Sequence, residues 1–272
     1  MKIVTIASGS GGNATLFESG PTRILVDAGV GPRTLTKRLE AAGAAGPLDA
    51  IIITHAHGDH IGHCASLARH FGAPAYVSES TARVARLTDA PRINVFGARH
   101  PFSIGGLTVS PTPLPHDAAQ VALVISDGSR SAAIVTDLGE IPPALPEHVA
   151  GCDVLLIESN YDDQMLARGP YLPHLKRRVA SARGHLSNVQ THGLLRALSE
   201  RTHTVVLVHI SKTNNHPDLA LEAARDALAF RRVRLWAASQ DDPLVIDATA
   251  PPPPDIIRSL RMKPQQLSLF PS

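Results

Sequence analysis

Thr54-His55-Ala56-His57-Gly58-Asp59-His60 directly follows the apolar run Ala50–Ile53 and precedes a stretch of helical character. Three histidines and an aspartate within six residues give four metal-ligand types at the end of a strand. In extended backbone, residues two apart point to the same side, so His55 and His57 can grip one ion. The chain turns at Gly58, after which Asp59 and His60 can face a second ion.

Working outward, the same pattern recurs. His116 ends the strand-rich segment 107–115, Asp137 follows the run Ser131–Thr136, and His209 follows Thr204–Val208. Each is a ligand type placed just after an apolar strand, where loops gather at one edge of a sheet. A chance cluster of surface histidines would not repeat this placement.

The elements between these points alternate irregularly. Strands are expected at Lys2–Ala7, Ala14–Glu18, Thr22–Asp27, Ala50–Thr54 and Ala75–Ser78, and helices at Pro32–Ala42, Asp59–Phe71 and Glu79–Leu87. Further strands are expected at Leu107–Pro111, Val121–Ser126, Ser131–Thr136, Asp153–Glu158, Thr204–Val208, Val233–Ala237 and Leu244–Ile246. A helix should start at Ser187, where Gln190 completes a capping box, and another should run over Pro217–Phe230. The segment from Tyr161 to His185 reads as long, polar and basic. This is no regular βαβ array. Two packed sheets with helices outside would bury both faces of each sheet.

Composition agrees with one sizeable core: 43% of the 272 residues are apolar, but only 4% are aromatic, so Val, Ile, Leu and Ala must fill it. A net charge of +2 argues neither for nor against nucleic acid, since a local patch can do what global charge does not. The two cysteines, Cys64 and Cys152, form no CxxC pair and read as reduced buried thiols. No apolar run approaches the roughly 18 residues of a membrane span and no secretory leader is evident, so a cytoplasmic protein is expected, with no membrane partner.

The pattern HxHxDH, followed by a distant His, an Asp and a final His, resembles the metallo-β-lactamase-fold hydrolases over about residues 1–247. The resemblance implies an α+β fold, an αββα sandwich of two mixed β-sheets packed face to face with helices outside. It implies two divalent metal ions per chain, Zn2+ first, with Mn2+ or Fe2+ as options. One would take His55, His57 and His116. The other would take Asp59, His60 and His209, with Asp137 bridging. A metal-bridging hydroxide would be the nucleophile.

Six local blocks narrow the branch: 8–13 (SGSGGN), His116-Asp117-Ala118, Thr136-Asp137-Leu138-Gly139, 158–162 (ESNYD), 184–188 (GHLSN), and His209-Ile210-Ser211 with Asn214-Asn215 and Pro217. Together they resemble the WalJ/YycJ-like branch, which implies phosphodiester hydrolysis and a DNA exonuclease. A small-ester hydrolase, such as a thioesterase or lactonase, is the competing reading on the same scaffold. On the nuclease reading His185 joins Asp59 as a catalytic candidate, stabilising or protonating the leaving oxygen. Ser10 and Asn13 of the Gly-rich loop, Asn160, Arg183 and Asn215 are the candidates for substrate contact. Lys176-Arg177-Arg178 and Arg183 can meet backbone phosphates or form a solvated basic face.

From Ala248 the character changes. Pro251–Pro254 is a stiff linker within a separate segment, 248–272. That segment contains Gln266-Leu267-Ser268-Leu269-Phe270, which resembles the pentapeptide by which bacterial replication and repair proteins bind the β sliding clamp. Leu267, Leu269 and Phe270 can fill an apolar groove while Gln266 hydrogen-bonds at its edge. A clamp tether would favour DNA as substrate.

Overall fold

Ile51, Ile52 and Ile53 are fully buried, yet they serve different cores: Ile52 faces one, while Ile51 and Ile53 face another. This is the period-2 alternation of a strand covered on both sides. In the computed structural model, which describes residues 1–85, 87 and 90–254, the alternation extends across two seven-stranded sheets.

The first sheet takes β1 (Lys2–Ala7), β2 (Ala14–Ser19), β3 (Thr22–Val26), β4 (Ala50–Ile53), β5 (Ala75–Ser78) and β6 (Ile93–Phe96). The second takes β7 (Phe102–Ile104), β8 (Leu107–Leu114), β9 (Gln120–Ser126), β10 (Ser131–Val135), β11 (Val154–Glu158), β12 (Thr204–Val208) and β13 (Arg234–Ala237). The last strand, β14 (Leu244–Asp247), returns to pair with β1. Each sheet is mixed. β3 to β6 run parallel beyond the antiparallel β14-β1-β2-β3 ribbon, and β10 to β13 run parallel beyond the antiparallel β7-β8-β9-β10 ribbon.

Between the sheets, Phe17, Ile24, Val26 and Ile52 of one meet Val109, Leu123, Ile134, Leu156 and Val206 of the other. Outside the first sheet lie α1 (Pro32–Ala41), the short α2 (Gly58–Ile61), α3 (Cys64–Phe71) and α4 (Glu79–Val84). Leu35, Leu39 and Leu67 seal that face. Outside the second lie α5 (Leu145–Val149), α6 (Asp163–Arg168), α7 (Pro173–Val179), α8 (Asn188–Arg196) and α9 (Pro217–Ala227). Leu145, Leu194, Leu195 and Ala224 seal that one. The architecture is the αββα sandwich.

Local chemistry explains most boundaries. The capping box at α8 is present, with Ser187 and Gln190 satisfying each other's backbone N–H groups. Departures have physical reasons. The single helix expected over Asp59–Phe71 breaks at Gly62–His63. β8 continues to Leu114 through Pro111 and Pro113, because β7 pairs only with Leu107–Val109 and leaves the prolines on an open edge. β6 and β7 are strands the sequence reading lacked, and the segment expected to be merely polar, 161–185, contains α6 and α7. Ala248, expected in the tail, is fully buried in the inter-sheet core. The pentapeptide Gln266–Phe270 lies outside the described residues. No helix among the described residues is long and apolar enough to cross a membrane.

Candidate metal centre and active-site cleft

Because β3 and β4 run parallel, and β8, β10, β11 and β12 also share one direction, their C-terminal ends bring several loops together where the sheets meet. Asp27, Asp137 and His209 sit just past β3, β10 and β12, with φ of 64°, 58° and 54°. They are the non-glycine residues in left-handed backbone among the described residues. Such conformations cost on the order of 1–3 kcal/mol each and persist only where the surroundings hold them. Asp27 N–H donates to Ile52 O at 2.8 Å, and His209 N–H donates to Ser8 Oγ at 2.7 Å. At Gly29 a Cβ would stand 1.9 Å from Asp59 O, so only glycine lets the loops at 12–13, 28–29 and 59–60 interlock.

The ligand-type side chains converge. One group is His55, His57 and His116; another is Asp59, His60 and His209; a third, His55, His60 and Asp137, joins the two. Within each group the ligand atoms lie within 4.8 Å of one another. His55 Nε2, His209 Nε2 and Asp137 Oδ2 are buried with no hydrogen-bond partner. Asp137 Oδ2 is 3.1 Å from His60 Nε2 but not aligned to receive its hydrogen. An unmatched buried polar atom costs on the order of 1–3 kcal/mol. Three of them converging in a set of imidazoles and carboxylates fit divalent cations such as zinc, manganese or iron.

Each histidine of the cluster is held by its other nitrogen. His60 Nδ1 meets Asp27 Oδ2 at 2.8 Å, and His209 Nδ1 meets Glu158 Oε1 at 2.8 Å. His116 Nδ1 meets Gly184 O at 3.0 Å, and His55 Nδ1 meets Thr54 Oγ1 at 3.1 Å. His57 is the exception in polarity: its Nε2 lies 3.1 Å from Asp117 Oδ1, which leaves Nδ1 facing His116 Nε2 at 3.3 Å. Oxygen partners of this kind fix the tautomer and aim the free nitrogen, as around metal-binding histidines generally. A fourth convergence, of Asp137, Glu158, His185 and His209, is organised by hydrogen bonds instead, since Glu158 Oε1 takes Nδ1 of both histidines at 2.8 Å.

Charge divides the cluster. Burial, aided by the neighbouring histidines, drives His55 well below its usual value, and burial also lowers His116; both are neutral and ready to donate an electron pair. Burial opposes charge on His60 too, but Asp137 and Asp27 outweigh it and hold His60 well above the ordinary range. His209 is pushed up to about 10 against the same burial by Asp137, Asp59 and Glu158. Conversely, burial would raise Asp59 and Asp137, yet His209 and His60 hold Asp59 down to about 2 and Asp137 well below the carboxylate range. His185 is raised against burial by Glu158.

The cluster opens into a cavity of about 250 Å3 lined by Ser10, Asn160, Tyr171, Leu175 and His185, among others. A second cavity, of about 470 Å3, shares His116 and Asp117 with it and is lined by Arg183. Of the residues expected to act on substrate, Ser10, Asn160, His185 and Arg183 line these cavities. Asn160 also donates to His209 O at 2.9 Å. Asn13 and Asn215 line neither. Asn13 is buried, exchanging hydrogen bonds with Gly9 and lying 3.0 Å from His60 Nε2. Asn215 is buried against Ser159 O and Asn188. Both brace backbone where substrate contact was expected, because their short amides are consumed by loop atoms nearby.

Asp27, Asp117 and Glu158 were missing from the sequence-based site. Asp27 follows a strand, as the other site residues do, and that placement was the available signal. Asp117 and Glu158 lie within two of the quoted blocks, but their partners are distant in sequence. Of the basic run, Arg178 is paired with Asp117 at 2.7 Å and Lys176 caps Ala167 O.

The Beta-lactamase superfamily domain family matches residues 22–210. Exodeoxyribonuclease WalJ of Streptococcus pneumoniae serotype 2 (strain D39 / NCTC 7466) is 34% identical over 229 residues, covering 80% of this chain and 85% of that protein. Exodeoxyribonuclease YycJ of Bacillus anthracis is 30% identical over 222 residues, covering 79% and 84%. Among solved structures, the metallo-β-lactamase fold protein YhfI of Bacillus subtilis superposes with a TM-score of 0.71 at 19% identity, covering 90% of this chain and 99% of that one. Zn(2+)-bound PqqB of Methylobacterium extorquens gives 0.67 at 16% identity, covering 91% and 100%. At these identities the structural likeness speaks for the fold alone.

Proposed function

The chain belongs to the β-lactamase superfamily domain family and is a metal-dependent hydrolase, and from that premise we propose that it hydrolyses phosphodiester bonds of DNA from a strand end. What carries the reading is the likeness to two exodeoxyribonucleases over four-fifths of the chain. The cluster by itself would suit many esters.

His55, His57 and His116 would hold one ion and Asp59, His60 and His209 a second, with Asp137 shared. Two such ions, when bound, supply a water of lowered pKa and neutralise charge on the phosphate. The net reaction adds one water: its oxygen joins phosphorus, the bond from phosphorus to the leaving sugar oxygen breaks, and that oxygen gains a proton. His185 is the proton's source in this reading. Its Nδ1 is tied to Glu158, its ring lines the cavity, and Glu158 favours its protonated form, so Nε2–H is free to face the leaving oxygen. Asp27, Thr54, Asp117 and Glu158 keep the imidazoles in register. Arg183, whose side chain has no ion-pair partner among the described residues, supplies positive charge to the DNA backbone. The sequence Gln266-Leu267-Ser268-Leu269-Phe270 supports a sliding-clamp partner for the same protein.

The test is hydrolysis of end-labelled single- and double-stranded DNA with manganese or zinc, beside an Asp59→Ala/His60→Ala variant. Metal-dependent shortening by the native protein, absent in the variant, is the expected result. A protein loaded with two ions that leaves DNA intact and cleaves thioesters or lactones would instead be the small-ester hydrolase.

A further inference from the structure

Helix α7 buries none of its residues fully. A helix with no core-facing stripe is not placed by the usual packing of an amphipathic face. Its inner side, with Leu175 and Val179, and Tyr171 just ahead of it, instead roofs the 250 Å3 cavity over the metal cluster. Apolar groups thus share the lining of this cavity with the polar His116, Asp117, Asn160 and His185.

Tyr171 differs from the other tyrosines. Tyr76 stacks on Phe102 with ring centroids 5.6 Å apart, and Tyr161 is buried. Tyr171 is half-buried, and its ring and hydroxyl have no partner among the described residues. In a chain with so few aromatics, an unengaged ring lining the cavity beside the metal cluster is a platform for a flat ligand group. At about 250 Å3 the cavity is smaller than ordinary ligand pockets, which begin at about 300 Å3, so it has room for one nucleotide at most and not for a stacked run. The larger cavity beyond His116 and Asp117 carries Arg183, a cation without an ion-pair partner among the described residues. Arg178, by contrast, is committed to Asp117.

We infer that the α7 cavity is the pocket for the terminal nucleotide of the DNA strand, with Tyr171 stacking on its base, while the rest of the strand leaves along the larger cavity past Arg183. This rests on the nuclease reading and adds to it the reason for end selectivity: the strand stops where α7 closes the cleft. The roof is fixed to the metal loops, since a Cβ on Gly139, two residues after Asp137, would stand 2.1 Å from Ser181 O.

The experiment compares single-stranded DNA ending in an ordinary nucleotide with the same DNA ending in an abasic residue, cleaved by the native protein, Tyr171→Ala and Tyr171→Phe. A base stacked on an aromatic side chain is worth on the order of a tenfold to hundredfold change in binding. The native protein and Tyr171→Phe should therefore favour the ordinary end by about that factor, seen mainly in KM, and Tyr171→Ala should treat the two ends alike. If the native protein cleaves both substrates and Tyr171→Ala discriminates as strongly as it does, the pocket assignment is overturned while the nuclease reading stands. If the metal-loaded native protein cleaves neither, both fall together.

Discussion

Asp27 Oδ2 lies 2.8 Å from Nδ1 of His60, and the same carboxylate accepts the hydroxyl hydrogen of Thr54, whose oxygen in turn meets Nδ1 of His55. One buried acid thereby aims a histidine in each of the two ligand groups. Asp27→Asn should weaken metal binding by about 10- to 100-fold, the usual effect of losing such a partner. Competition against a chromophoric chelator measures this, with circular dichroism showing that the variant is folded. Unchanged affinity would remove Asp27 from the account.

Metal uptake should release protons. A histidine must be neutral to bind an ion, and the carboxylates around His60 and His209 hold both protonated well above neutrality. Titration calorimetry at pH 7 in buffers of different ionisation enthalpy should give about two protons released per fully loaded chain. An enthalpy independent of the buffer would contradict the charge distribution described for the cluster.

Glu158 holds both His209 and His185, so Glu158→Gln should affect chemistry more than substrate capture. We expect kcat to fall by at least tenfold, as for loss of general-acid positioning, with a small change in KM. A variant that raises KM alone would place Glu158 in substrate binding.

Asp153 provides a pH test far from the metal loops. Its buried carboxylate accepts from Ser131 N–H at 2.9 Å, Arg130 at 3.0 Å and Arg201 at 3.3 Å. Burial would raise it, but these donors hold it below the ordinary carboxylate value. A depressed folded-state value adds stability above the unfolded value of about 3.9, and that stability is lost as pH falls through the folded value. Asp153→Asn should therefore be less stable than the native protein at pH 7 by about 2 kcal/mol, and the gap should close progressively below about pH 4. Urea unfolding at both pH values, with chelator present, reads the difference.

The clamp reading separates from catalysis by deletion. Removing Gln266–Phe270 should abolish binding to an immobilised bacterial sliding clamp and leave hydrolysis of free DNA unchanged. Retained binding by the shortened chain would locate the contact elsewhere or dismiss it.

The residues of the cluster stood out in sequence because they are ligand types that follow apolar strands, four together in 55–60 and three singly. His116, Asp137 and His209 are conspicuous by that contrast. Asp27 obeys the same rule, but it acts through His60, 33 residues away, and no local pattern states that pairing. Asn13 and Asn215 show the opposite difficulty. A loop asparagine can face solvent or bind its own loop, and only the fold decides between the two. Helix α7 escaped notice for a related reason. Periodicity is a record of burial, and α7 buries nothing fully. The αββα layering was legible from the apolar strands, whereas β6, with Ile93 and Val95 exposed, was too atypical to stand out.

The segment after β4 in the first sheet supplies His55, His57, Asp59 and His60, and the loops after β8, β10 and β12 in the second supply His116, Asp137 and His209. Neither half owns a complete cage. A chain still emerging from synthesis, with the second sheet unmade, therefore lacks His116, Asp137 and His209, and with them part of each of the three groups that would hold the ions. For the nuclease proposed above, this placement would make correct assembly the safety catch, since the ligand groups close only when both sheets are in place.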